Sequence, residues 1–236
     1  MRRTLRFYSG ALLVAFAAVC AQAENAYVPN EGSGTVTVID TATDAPSPQS
    51  PIPKQGSMGK KLRGVALDLP GRTLFVVDAL GNVVLVVDTA SGVVKKTLPN
   101  ILSAEGIQLS PDGSAVYVAD ETSGNVDVIA SGSWSITKSI PIGLRPAGVS
   151  VRADGRRVYA TAGGSGTVSV IDPKTNTVVA TVAVGERPWN MALTANGAKL
   201  YVANGRSHNV SIIDTATNTV LHTLEVGLLP WGVAIR

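Results

Sequence analysis

Aromatic, charged and amide side chains recur at two kinds of position along this chain, and they define its candidate binding chemistry. The first kind lies in or beside turns related to Gly-x-x-Pro-x-Gly, and its members are Arg63, Glu105, Arg145, Arg187, Trp189 and Trp231. The second kind opens a loop after an aromatic-led strand, and its members are Asp78, Asp120 and Asn204. Indole rings stack planar or sugar-like ligands, and guanidinium groups pair with carboxylates. If folding brings these positions together, they form a shallow binding pocket.

A structural interpretation competes with this one. Trp189 and Trp231 could instead plug a narrow channel, since large aromatic side chains fill space well. Asp and Asn side chains commonly cap the backbone of their own loops. The residue types alone leave both interpretations open.

The sequence offers little catalytic potential. Asp78, Asp120 and Glu121 supply neighbouring carboxylates, although loop capping explains the aspartates more simply. The two histidines, His208 and His222, fall in different parts of the repeat described below: His208 aligns with loop glycines, and His222 falls on an outer strand. We expect no catalytic set, no metal site and no bound cofactor.

An internal repeat organises the chain and must position these residues. An aromatic residue opens each unit, at Tyr27, Phe75, Tyr117, Tyr159 and Tyr201. The first step is 48 residues long and the other three are 42. A glycine or its replacement follows 31 residues after the aromatic in units two to five, at Gly106, Gly148, Asn190 and Gly232. The shared register predicts five copies of one structural unit.

Each unit is predicted to form four antiparallel β-strands. Residues 148–151, 158–161, 167–172 and 177–184 show the β-branched, alternating pattern of strands, with turn residues between them. Such a sheet is apolar on both faces, so it needs a neighbour on each side. Radial stacking of four-stranded blades in a β-propeller meets this need. An open solenoid would also do so, but its repeats are usually shorter.

We therefore predict an all-β chain folded as a five-bladed β-propeller. The blade closing the ring would combine the second to fourth strands from the N-terminal side with a first strand from residues 231–236. In this arrangement the candidate binding residues surround one mouth of the central channel. We expect the chain to be a monomer.

The N-terminal 23 residues have the features of a cleaved signal peptide. Arg2, Arg3 and Arg6 precede a short apolar run, and residues 21–23, Ala-Gln-Ala, fit a cleavage site. Without them, the 20 Lys and Arg become 17 and balance the 17 Asp and Glu, and Cys20, the single cysteine, is lost. The propeller domain would be residues 24–236, periplasmic or secreted. A neutral surface argues against nucleic acid and anionic membranes as partners.

Residues 201–204, Tyr-Val-Ala-Asn, and 209–218, Asn-Val-Ser-Ile-Ile-Asp-Thr-Ala-Thr-Asn, resemble the YVTN-repeat β-propeller family. The turn at residues 143–148, and its relatives at 185–190 and 227–232, also fit that family's repeat. The resemblance extends over residues 24–236 and implies an exported propeller. Some such relatives resemble accessory proteins of quinone-cofactor-dependent catabolism, and others resemble haem-d1-bearing or lactonase propellers.

Two features depart from that resemblance. Relatives commonly have seven blades, whereas five units are present here. In unit one, residues 44–61 contain four prolines where the fourth strand should run, which predicts a loose outer edge.

The main functional hypothesis is a non-catalytic exported scaffold that binds a small molecule or a periplasmic protein, as an accessory to quinone-dependent oxidation. The alternative is a lactonase-like hydrolase that uses carboxylates at the channel mouth.

Overall fold

The computed structural model describes residues 25–30, 34–40, 45–46 and 59–235. The secondary structure assigned among these residues consists of β-strands. None of the described residues form a helix long and apolar enough to cross a membrane. The predicted signal peptide lies outside the described residues, and so does most of the proline-rich segment. The strands form five antiparallel sheets, each ordered as in the chain.

The first sheet has three strands, β1 (Asn25–Asn30), β2 (Thr35–Asp40) and β3 (Ala45–Pro46). The second contains β4 (Leu62–Leu67), β5 (Thr73–Asp78), β6 (Val83–Asp88) and β7 (Val94–Pro99). The third contains β8 (Ala104–Leu109), β9 (Ala115–Asp120), β10 (Asn125–Ala130) and β11 (Ser135–Pro141). The fourth contains β12 (Pro146–Val151), β13 (Val158–Ala162), β14 (Thr167–Asp172) and β15 (Thr177–Ala183). The fifth contains β16 (Pro188–Leu193), β17 (Lys199–Asn204), β18 (Asn209–Asp214) and β19 (Thr219–Glu225).

These sheets are the blades of a β-propeller, which confirms the predicted fold class. The repeat extends to local irregularities. In blades two to five the third and fourth strands shift register at one equivalent place, after Val86, Val128, Val170 and Ile212. Since a bulge bends and twists a strand, its recurrence gives the four blades the same outer shape.

The hydrophobic core lies between blades. Phe75 and Val86 of blade two pack with Val116 and Ile129 of blade three in one buried cluster. Equivalent clusters join blades one and two, three and four, and four and five. Because each inner sheet contributes apolar side chains to both of its faces, stacking covers surface that a single sheet would expose, as the sequence predicts.

Glycines let the innermost strands of neighbouring blades approach closely around the axis. A Cβ on Gly106 would lie 2.5 Å from the Ala147 carbonyl oxygen, and one on Gly148 would lie 2.6 Å from the Trp189 carbonyl oxygen. Backbone atoms cannot move aside as a flexible side chain can. The glycine register found in the sequence therefore corresponds to the contact between blades.

The C-terminal segment differs from the prediction. Residues 226–235 form no strand and do not pair with β1, whose ladder partner is β2. The segment nevertheless approaches the position expected for a first strand, since a Cβ on Gly232 would lie 3.5 Å from Cβ of Asn190. Pro29 in β1 has no amide hydrogen and could not donate to such a ladder. The predicted proline at the outer edge is present as Pro46 in β3, opposite Ile39.

Candidate binding site

The turns that lead into the innermost strands carry arginines into the channel mouth. Arg145 precedes β12 and Arg187 precedes β16, and each is followed by a proline. Their φ angles are 55° and 53°, in the left-handed region that costs a non-glycine residue free energy. Leu229 has the same conformation, with φ of 52°, at the equivalent place before the C-terminal segment. Ser103, with φ of 52°, takes the same conformation before β8, so the repeat presents four side chains in the same local geometry.

Glu121 holds three of these turns together. Its Oε1 accepts hydrogen bonds from Arg145 Nε and from Arg187 Nη2, each at 3.1 Å, and its Oε2 accepts one from Ser103 Oγ at 3.2 Å. Glu121 directly follows β9 within blade three, whereas the arginines introduce blades four and five. One carboxylate therefore links three blades at the mouth.

The environment of Glu121 keeps it ionised. Burial by itself would raise the pKa of this carboxyl, but the hydrogen bonds from Arg145, Arg187 and Ser103 outweigh that effect, so the pKa lies below its ordinary value. The Glu121 side chain is 17% exposed and that of Arg187 is 15% exposed, whereas that of Arg145 is 56% exposed. The Arg187 contact is the better shielded of the two.

A second ion pair lies across the neighbouring blades. Arg63 on β4 contacts Glu105 on β8, with Arg63 Nη1 directed at Glu105 Oε1. The two side chains are 26% and 16% exposed. Glu105 is thereby held as the partner of an arginine.

Trp189 and Trp231 meet at the same mouth. Their ring centroids lie 4.6 Å apart and their planes are tilted by 41°. The ring of Trp189 also packs on Gly205, where even a methyl group would clash with it. Trp231 remains 63% exposed. The inner tryptophan is thus half-buried, and the outer one presents aromatic surface to solvent.

These groups line one cavity of about 590 Å³ at the channel mouth. Its walls include six of the residues chosen from the sequence, namely Arg63, Glu105, Arg145, Arg187, Trp189 and Trp231. The cavity also includes Glu121, Asn190 and Pro29. Its volume lies within the range of pockets that hold small molecules. Although the tryptophans stack on each other, they leave this space open beside them.

The three remaining candidates are the last residues of β5, β9 and β17 and are not among the residues that line the cavity. Asp78 accepts hydrogen bonds from the amides of Lys60, Lys61 and Gly81, and Asp120 accepts them from those of Leu102 and Ser123.

Burial acts to raise the pKa of Asp78, but the backbone hydrogen bonds outweigh it and the pKa is lowered. Asn204 donates to Asn209 Oδ1 and Ser211 Oγ. The contacts of the two aspartates match the loop-capping interpretation, whereas those of Asn204 are with side chains. A binding role for the three residues remains a prediction.

The histidines occupy the places that the repeat predicts. His208 has a φ of 55°, like the aligned Gly34, Gly124 and Gly166 with φ between 64° and 78°. His222 is exposed on β19. Across the described residues, no group of three or more His, Cys, Asp or Glu side chains could hold a metal ion.

Glu121 is the residue of this site that the sequence analysis undervalued. It was considered only as a neighbour of Asp120, although it stands where units two, four and five have Ala79, Gly163 and Gly205, and unit one has Glu31. A charged residue at a position that is small in three of the five units is a signal in the sequence. The sequence could not show which arginines Glu121 contacts, because those arginines lie 24 and 66 residues away along the chain.

No family model matches this chain, and no curated protein matches it. Several solved structures are similar to this chain. Hydrazine synthase of Kuenenia stuttgartiensis is 24% identical with a TM-score of 0.65, over 69% of this chain and 48% of that one. This chain thus spans about half the length of that protein.

Two further solved structures are similar. A functionally unknown protein from Desulfotomaculum acetoxidans is 16% identical, with a TM-score of 0.73 over 90% of this chain and 69% of that one. A candidate 6-phosphogluconolactonase from Bacteroides uniformis is 17% identical, with a TM-score of 0.72 over 89% of this chain and 70% of that one. At these identities the likeness shows the fold alone, and that fold is a β-propeller.

Proposed function

We propose that this chain is an exported, non-catalytic β-propeller that binds a small molecule or a periplasmic protein at its channel mouth, as an accessory to quinone-dependent oxidation. The observation that carries the proposal is the cavity of about 590 Å³, with exposed Trp231 on one side and the Arg145–Glu121–Arg187 network on another. An open cavity with convergent polar groups and an exposed ring is typical of a ligand site.

The state of the carboxylates supports binding rather than catalysis. A general base works best when its pKa lies near the working pH. Glu121 has a lowered pKa, and Glu105 is paired with Arg63. Both groups are better suited to positioning arginines than to taking a proton.

The test is a ligand screen on the purified protein, read by tryptophan fluorescence. Quinones, sugars and peptides are added in turn, and the variant Trp231→Leu is measured in parallel as the matched control. We expect at least one class to change the emission of the wild type, with a smaller change in the variant. If no class changes the emission of either protein, the ligand-binding proposal is wrong.

A hydrolytic function is the second candidate, favoured by the presence of two carboxylates in the cavity and by the structural likeness to a candidate 6-phosphogluconolactonase. It is tested by assaying a panel of lactones with and without divalent metal ions. Turnover that disappears in Glu121→Gln while the fold is retained would replace the non-catalytic proposal. Asp120→Ala is a poorer test, because both carboxyl oxygens of Asp120 hold loop amides.

A further inference from the structure

We infer that the ligand of this cavity is a planar organic carboxylate with a single negative charge. The inference rests on the proposed binding function and makes it more specific. It follows from the charges at the mouth, from the hydrogen-bond donors that remain there and from the position of the exposed indole.

The charges facing the cavity do not cancel. Arg63 is compensated by Glu105, so this pair adds no net charge. Arg145 and Arg187 share a single carboxylate, and both contact the same oxygen, Glu121 Oε1. Of the five charged side chains that line the cavity, three are basic and two are acidic. One anionic charge from a ligand would make the site neutral.

The donors that remain suit a carboxylate. Arg187 Nη1 is buried without a hydrogen-bond partner in the described structure, a costly state for a charged donor. Arg145 contacts Glu121 through Nε, and its side chain is 56% exposed, so its terminal nitrogens can face a ligand. Guanidinium groups bind carboxylates through two parallel N–H donors. A carboxylate that enters beside Arg145 can also give Arg187 an acceptor if the Arg187 side chain turns towards it.

The aromatic surface selects for a flat ligand. Trp189 packs on Gly205 and Trp231 and is half-buried, so it offers less surface than Trp231. Trp231 is 63% exposed and lines the same cavity as both arginines. A ring stacked on Trp231 would place a carboxylate attached to it near the cationic part of the wall.

The fixed carboxylate disfavours a doubly charged anion. Glu121 stays ionised between the two arginines, so a second negative charge on the ligand would be repelled without a further cation to balance it. A phosphate monoester is therefore expected to bind less well than a carboxylate of the same shape.

The test is isothermal titration calorimetry at pH 7.5 with three probes that share one ring: 2-naphthoate, 2-naphthamide and 2-naphthyl phosphate. We expect 2-naphthoate to bind at least about ten times more tightly than either of the others, as the loss of one charge-assisted hydrogen bond would produce. Arg145→Gln and Arg187→Gln should each remove most of that preference. Trp231→Leu should weaken naphthoate and naphthamide by similar factors, since it removes the stacking surface alone.

The outcomes separate this inference from the broader function. Equal affinity for naphthoate and naphthamide, with both weakened in Trp231→Leu, would leave a ligand-binding cavity but overturn its preference for carboxylates. Tighter binding of naphthyl phosphate would overturn the single charge. If none of the three probes binds, the inference is wrong, while the fluorescence screen decides separately on ligand binding. Circular dichroism shows whether the Arg187→Gln protein remains folded. If that protein does not fold, Arg145→Gln, which changes the more exposed arginine, provides the test.

Discussion

Glu121 is the residue on which the geometry of the channel mouth depends most. It holds Arg145 and Arg187, which come from two different blades, through a single oxygen atom. If it were lost, Arg187 would keep a largely buried positive charge without this partner. Loss of Glu121 should therefore change the free energy of unfolding as well as ligand binding.

We expect Glu121→Gln to lower the free energy of unfolding at pH 7 by about 1–2 kcal/mol, because it leaves a shielded guanidinium uncompensated. Since the pKa of Glu121 is lowered in the folded state, its contribution is present above the unfolded pKa and is lost as the pH falls through the folded pKa. The difference between variant and wild type in urea unfolding should therefore shrink towards pH 3.

Arg145→Gln is the matched control for this variant. The side chain of Arg145 is more than half exposed, so its removal should cost less than about 1 kcal/mol. If Arg145→Gln were as costly as Glu121→Gln, the network would not depend on Arg187 as we describe.

The pKa of Asp127 is shifted in the opposite direction to that of Glu121. Asp127 lies buried on β10, where burial raises the pKa of its carboxyl, a hydrogen bond from Ser139 Oγ opposes the rise, and the charge of Asp120 adds to it. A raised pKa in the folded state means that stability is greatest below the unfolded pKa and falls as the pH rises through the folded pKa. The ionised form of Asp127 is thus a cost at neutral pH.

We expect Asp127→Asn to unfold at an equal or higher urea concentration than the wild type at pH 7, because the ionised form of Asp127 is a cost there. At pH 4 the two proteins should be closer. Ser139→Ala, which removes the compensating donor, should destabilise the protein at pH 7. A clearly less stable Asp127→Asn protein at pH 7 would contradict this account of the site.

At the scale of the elements, the innermost strands bring the blades together, and their glycines make this approach possible. The sequence shows where these glycines recur, at Gly106 and Gly148 among others. Why they recur became clear from the structure, in which the next blade's backbone occupies the space that a side chain would need. Periodicity locates such a position, but only a neighbouring blade explains it.

We expect Gly106→Ala to lower the free energy of unfolding by about 2 kcal/mol, because its Cβ would meet the carbonyl oxygen of Ala147 at 2.5 Å and neighbouring backbone at 3.1 Å. Gly132→Ala is the control. A Cβ on Gly132 has no atom within 4 Å, so this variant should stay within about 0.5 kcal/mol of the wild type. Chemical denaturation of both proteins measures the difference. Equal stability of the two variants would show that the blades are not in contact at Gly106.

At the scale of the whole molecule, the C-terminal segment limits how firmly the ring is held. Within the described residues, two backbone amides, those of Val226 and Leu229, donate to His208 at 3.0 Å each. Trp231 adds its contact with Trp189. The segment lacks the strand ladder that would bind it to β1, so it stabilises the molecule less than a paired strand would.

Deletion of residues 231–236 should therefore lower the free energy of unfolding by about 1–2 kcal/mol, mainly through the loss of the tryptophan contact and its buried apolar surface. Thermal unfolding monitored by circular dichroism measures the loss. A collapse of the fold would show instead that this segment pairs with β1 in solution, as the sequence pattern predicts. Light scattering on the same samples tests the predicted monomer.

The sequence by itself determined the all-β blades, their number and the set of loops that share one mouth. It could do so because a repeat with constant spacing must place equivalent residues at equivalent positions, and because alternating apolar residues require a sheet covered on both faces. The six candidates at Arg63, Glu105, Arg145, Arg187, Trp189 and Trp231 were brought together for that reason.

Only the tertiary structure decided which of these side chains interact. The contact of Glu121 with Arg187 spans 66 residues and depends on the angle between blades, which no local pattern encodes. The same is true of the aspartates. Whether Asp78 faces the cavity or the segment before β4 depends on where the amides of Lys60 and Lys61 lie after folding. Local pattern sets the direction of a strand, whereas the partners of a long charged side chain are set by the packing of distant parts of the chain.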